Sequence, residues 1–145
     1  MYLFTWTLTN TKWGGIRLKW VDVADTQDIE KGKMGLVEVE WKKVDIANVE
    51  GTFYGFDDRC PHSNAPLNLG TLQGKVIRCA AHFSSFDVTT GKKLSDPKEL
   101  SISPEIMQKM PANFLQMAGK MAEITRQIET LDLETYETKV RTIDY

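Results

Sequence analysis

With 145 residues and 41% apolar content, the chain can bury one hydrophobic core and reads as a single domain spanning 1–145. Charged residues make up 26% and nearly cancel to a formal net charge of -2, which excludes the basic footprint of a nucleic-acid binder. No apolar stretch approaches the roughly 20 residues that span a bilayer, and Met1-Tyr-Leu-Phe-Thr-Trp6 lacks the basic and apolar regions of a secretory leader. A cytoplasmic protein with no membrane partner is therefore expected.

Residues 1 to about 100 read as short strands between turn signals, the pattern of an all-β, antiparallel sandwich or barrel. Trp6–Leu8 and Ile16–Val23 flank Asn10-Thr-Lys-Trp-Gly-Gly15 and predict an N-terminal hairpin over 1–23. Met34–Trp41 alternates apolar and acidic residues, and Lys42-Lys43 is the expected tight connection into Val44–Val49. Glu50-Gly51 turns into Thr52–Phe56, Gly74 precedes Lys75–Cys79, and Ser85–Val88 runs into Thr90-Gly91-Lys92. Trp6, Trp13, Trp20 and Trp41 fall at strand-like positions and are expected to pack in the core or at its rim rather than to relay electrons.

From about 102 to 131 the chain changes to helix formers with a 3.6-like apolar period. Ser103, Pro104 and Glu105 form a cap, a first-turn proline and an acidic first turn, and Pro111 breaks or restarts the helix. Met117, Met121, Ile124, Ile128 and Leu131 then predict one amphipathic helix of about five turns. Its apolar stripe is expected to pack on the barrel, with self-association into a homo-oligomer or partner docking as alternatives. A last alternating run spans Tyr136–Ile143.

The chemistry lies in Cys60-Pro61-His62 and Cys79-Ala80-Ala81-His82, and the chain holds no further cysteine or histidine. Two thiolates and two imidazoles suit a borderline-soft metal, either zinc or an iron-sulfur cluster. A structural zinc site usually pairs cysteines with cysteines and histidines with histidines, whereas here each loop supplies one of each. Such loops suit a binuclear cluster with both cysteines on one iron and both histidines on the other. The two cysteines, 19 positions apart in a reducing compartment, are not expected to form a disulfide. Asp57-Asp58-Arg59 beside the first ligand reads as a solvated turn, with partner steering as the alternative.

At these residues the sequence resembles the Rieske 2Fe-2S family. The resemblance covers Cys60-Pro-His62, Leu67, Gly70, Cys79-Ala-Ala-His82, Phe86-Asp87, Thr90-Gly91 and Pro97, and extends to Tyr54–Arg59 and to the final strand Tyr136–Val140. It implies a Rieske-type β-fold with a small cluster-binding subdomain, here with a helical insertion before the final strand. It implies one 2Fe-2S cluster on Cys60, His62, Cys79 and His82, with both histidines at the surface as the exit for electrons. Pro66-Leu67 would cover the cluster, and Pro97 would mark a second covering loop, with a simple turn as the alternative. A doubly positive core balanced by two thiolates is neutral, whereas four thiolates leave it dianionic, so Rieske potentials of about -150 to +300 mV lie above the roughly -400 mV of plant-type ferredoxins.

Respiratory members carry two further cysteines, where Asn64 and Ala81 stand here, and donate to sulfur from a serine and a tyrosine after the second histidine. This chain keeps Ser84 but has Phe86, and Ala80 and Phe83 replace a frequent proline and glycine. The resemblance therefore implies a soluble ferredoxin that carries single electrons between a reductase and a terminal oxidoreductase such as an oxygenase. No motif for a nucleotide or a mononuclear iron indicates catalysis by the chain itself. The alternatives are a small subunit of a nitrite-reductase-like or other oxidoreductase complex, a redox or iron-sulfur sensor, and a structural zinc module.

Overall fold

The computed structural model describes residues 2–10, 16–98 and 102–142, with side chains described from Trp20 onward. The turn expected at 11–15, with Trp13, lies outside the described residues, as does Ile143. Strands β1 (Tyr2–Asn10) and β2 (Ile16–Asp25) form the expected antiparallel hairpin, slightly longer than read, with an irregularity between Leu3 and Phe4. Strands β3 (Met34–Val39), β4 (Lys42–Val49) and β5 (Thr52–Asp57) form a meander.

The turn from β3 to β4 is Glu40-Trp41, not Lys42-Lys43, because Lys42 already pairs with Val39. Glu40 takes φ 56° there. Trp41 is consequently thrown outward and is 75% exposed, against the packing expected of it. Glu50 and Gly51, at φ 53° and 93°, both sit in the left-handed region, the requirement of the primed two-residue turn that matches strand twist.

The second half builds a smaller sheet from β6 (Thr71–Gln73), β7 (Val76–Arg78), β8 (Ser85–Asp87) and β9 (Lys93–Ser95), in that order. Helices α1 (Pro104–Lys109) and α2 (Ala112–Arg126) follow, then β10 (Thr135–Tyr136) and β11 (Thr138–Arg141). The last two are one expected strand split at Glu137. β10 pairs with β5 and β11 with β1, so the chain end joins the sheets β11-β1-β2 and β10-β5-β4-β3.

The core has two parts. Ile29, Val39, Val44 and Ile46 fill the first, under the meander. Ala47, Phe56, Leu67, Ile77, Phe86, Val88 and Leu133 fill the second together with Cys60 and Cys79, so both thiols sit on an apolar floor. Each large side chain withdrawn from water there contributes about 1.5–3 kcal/mol, which anchors the loops that carry the cysteines.

The helical segment forms as its caps predict: Ser103 accepts from the Ile106 N–H and Pro111 precedes α2. Its packing does not follow the expectation. Neither helix contains a buried residue, α2 stops at Arg126, and Met117, Met121 and Ile124 are each more than half exposed. The faces turned inward are those of Leu115, Ala118 and Thr125, one step around the helix from the apolar stripe. No helix among the described residues is long and apolar enough to cross a membrane.

Candidate metal centre

Two loops leave strand ends and meet over the second core, the first running on from β5 and the second joining β7 to β8. Locally they are copies of each other. In each, the cysteine N–H donates to the carbonyl five residues on, Cys60 to Ala65 and Cys79 to Ser84, both at 2.9 Å. The residue four positions on donates back to the cysteine carbonyl, Asn64 at 2.8 Å and Phe83 at 3.1 Å. That residue must turn through the left-handed region: Asn64 has φ 57° and Phe83 φ 61°. Asparagine tolerates this conformation, whereas a phenylalanine there costs about 1–2 kcal/mol, and such strain persists where the surroundings over-determine it. The glycine expected in the family at this position would relieve it.

Folding places the four sequence-predicted side chains together. Cys60 and Cys79 are 2% and 0% exposed. The His62 and His82 rings lie edge to face, their centroids 5.0 Å apart and their planes at 89°. The Nδ1 atom of each histidine is buried and has no hydrogen-bond partner. An orphaned buried polar atom costs about 1–3 kcal/mol, so two on adjoining rings mark a site built for a partner that is not a protein group. Both nitrogens are suited to ligate a metal.

Electrostatics favour the ligating forms. Burial pushes the Cys60 thiol up, but the Ser63 and His62 backbone N–H groups and the Ser84 and Ser63 hydroxyls outweigh it, leaving the thiol below its ordinary range and easier to ionise. Burial lowers His62, the neighbouring His82 lowers it further, and the Thr125 backbone carbonyl opposes both; the net effect favours the neutral imidazole.

Around the four side chains the loops brace one another. Ser84 Oγ, from the second loop, is 3.6 Å from Cys60 Sγ, and Ser63 Oγ, from the first, is 3.8 Å from Cys79 Sγ. Sequence reading singled out Ser84 but missed Ser63, whose only signal was its place beside His62. The Pro97 loop does reach the site, since the Lys98 N–H donates to the His82 carbonyl at 2.7 Å.

Two expectations need correction. Asp57-Asp58-Arg59 is not a solvated turn: Asp58 is buried and accepts the Asn68 N–H, while Asp57 accepts the Arg59 N–H and the Tyr136 hydroxyl. The two histidines are not equally at the surface either. His82 is half-buried, but His62 is only 5% exposed.

The pattern of the Rieske [2Fe-2S] domain family matches residues 19–111. The chain belongs to the Rieske family. Its cofactor is accordingly a 2Fe-2S cluster. Among its Rieske relatives is the ferredoxin component of the naphthalene 1,2-dioxygenase/salicylate 5-hydroxylase systems of Ralstonia sp, 37% identical over 93 residues, covering 63% of this chain and 89% of that one. The ferredoxin component of the naphthalene 1,2-dioxygenase system of Pseudomonas putida is 39% identical over 80 residues, covering 55% and 77%. Similar solved structures include the complex of reduced oxygenase and oxidised ferredoxin in carbazole 1,9a-dioxygenase, with TM-score 0.51 and 34% identity over 56% of this chain and 76% of that one. Sphingomonas yanoikuyae B1 ferredoxin matches at TM-score 0.50 and 27% identity, over 57% and 88%. The family match ends inside the insertion, so α2, β10 and β11 lie beyond it.

Proposed function

We propose that this Rieske protein is a ferredoxin in which Cys60 and Cys79 hold one iron and His62 and His82 the other, and that it carries single electrons from a reductase to a terminal oxidoreductase such as an oxygenase. The observation that carries this reading is the pair of orphaned Nδ1 atoms on adjoining rings, borne by the same two matching loops that bury Cys60 and Cys79. A bound cluster would supply reversible one-electron chemistry. The chain's own part is to keep both cysteines out of water, hold both imidazoles with Nδ1 inward, and direct serine hydroxyls at both sulfurs. Reading 1–145 as one domain is supported by β10 and β11, which return across the insertion to pair with β5 and β1.

The test is reconstitution with a terminal oxygenase and a ferredoxin reductase. The purified chain should contain about two irons and two acid-labile sulfides, give a Rieske-type signal when reduced, and support product formation that stops when it is left out. A colourless zinc protein would refute the ligand assignment. A loaded cluster that the reductase reduces but no oxygenase oxidises would refute the role.

A further inference from the structure

The function leaves the insertion unexplained. Its helix α2 lies beyond the family match and buries none of its own residues, and yet its last turn reaches the metal centre at one point. The point of contact is His62. The Thr125 backbone carbonyl faces the His62 imidazole from the last turn of α2. The chain returning from that helix then places Leu131 and Asp132 across from Cys60, Pro61 and His62, as one wall of a crevice of about 340 Å³. His62 is left 5% exposed.

Among the described residues His82 has no such cover. It is half-buried, its loop is held from behind by the Lys98 N–H on its own carbonyl, and the next residue, Phe83, is 40% exposed on the strained left-handed turn. The two imidazoles stand at different places on the matching loops, His62 two residues after Cys60 and His82 three after Cys79, and only His62 shares the crevice with Leu131 and Asp132.

The geometry points to the insertion as a screen over His62, leaving His82 and Phe83 as the single door by which electrons enter and leave. This rests on the four side chains being the cluster ligands. A partner must approach one imidazole edge rather than two, and reductase and oxygenase must then dock in turn at the same place. Bulk on the His62 side is the chain's own, so a partner fitted to it needs a concave rim that accommodates α2.

The test is acylation of the two imidazoles by diethyl pyrocarbonate on the cluster-loaded full chain, mapped by peptide mass spectrometry. His82 should react faster than His62 by about tenfold or more, because His62 reacts only when the cover opens. Replacing 102–131 with a short Gly-Ser linker should bring the two rates within about twofold while leaving the His82 rate unchanged. Should that variant fail to load its cluster, Thr125→Pro, which breaks the last turn of α2 while keeping the chain length, should raise the His62 rate several-fold. Equal rates in the unaltered chain, or a His62 that stays protected in a loaded variant, would overturn the screen. Failure to serve an oxygenase would overturn the proposed function without changing this ratio.

Discussion

Ser84→Ala should lower the reduction potential. The Ser84 side chain is fully buried, and its hydroxyl lies 3.6 Å from Cys60 Sγ, an ordinary distance for a sulfur acceptor. Reduction adds negative charge that the cysteine sulfurs share, so a hydroxyl donating to sulfur stabilises the reduced state more than the oxidised one. Hydrogen bonds to charged groups contribute about 1.5–3 kcal/mol, and only the part that grows on reduction counts, about 1–2 kcal/mol. For a one-electron couple, where 59 mV corresponds to about 1.4 kcal/mol, that is a fall of about 40–90 mV. Ser63→Ala, at 3.8 Å from Cys79 Sγ and only partly buried, should shift the potential in the same direction by less. Protein-film voltammetry measures both, with EPR confirming that each variant keeps its cluster. A Ser84→Ala potential within about 10 mV of the parent, with the cluster intact, would refute the argument that this hydroxyl donates to the sulfur.

Two further predictions concern stability. Burial, then the charge and side-chain hydrogen bonding of Asp58 and the charge of Asp57, raise the Asp45 carboxyl from 3.8 to about 8. Between those pH values the native form holds a proton that the unfolded chain has lost, so stability should fall as pH rises from about 4 to about 8. At about 1.4 kcal/mol per unit the whole window is worth on the order of 5 kcal/mol at most. Calorimetry of the loaded protein should show Tm dropping by on the order of 10 °C from pH 5 to 8, with Asp45→Asn removing most of that slope; parallel slopes would count against a protonated Asp45. Gly91→Ala should cost about 3 kcal/mol or more, read as a lower Tm, because φ is +78° and a Cβ would sit 2.3 Å from the Leu133 carbonyl oxygen. An unchanged Tm would mean that the return leg at Leu133 can move away freely.

What could be read without coordinates was what depends on neighbours in the chain. Strand alternation, the N-terminal hairpin, the Ser103 cap, the proline break at 111 and the one-cysteine, one-histidine loops are all patterns of period, spacing or backbone preference. They determined the fold class and the four candidate ligands. The turn at Glu40-Trp41 escaped this reading because pairing register, not composition, decides which residue takes positive φ, and Trp41 was misplaced with it.

The tertiary structure decided whatever depends on how separate segments meet. Ser63 reaches Cys79, Asp58 goes under the first loop, and the stripe of α2 stays in water although its period resembles that of a packed helix. The same is true of His62. Its spacing from Cys60 makes it a candidate ligand, but the groups beside it, Thr125 and Leu131, come from more than sixty positions along the chain. Periodicity shows that a face is apolar and spacing shows that donors can converge; which surface lies opposite is set by the docking of whole elements, and that information is not local.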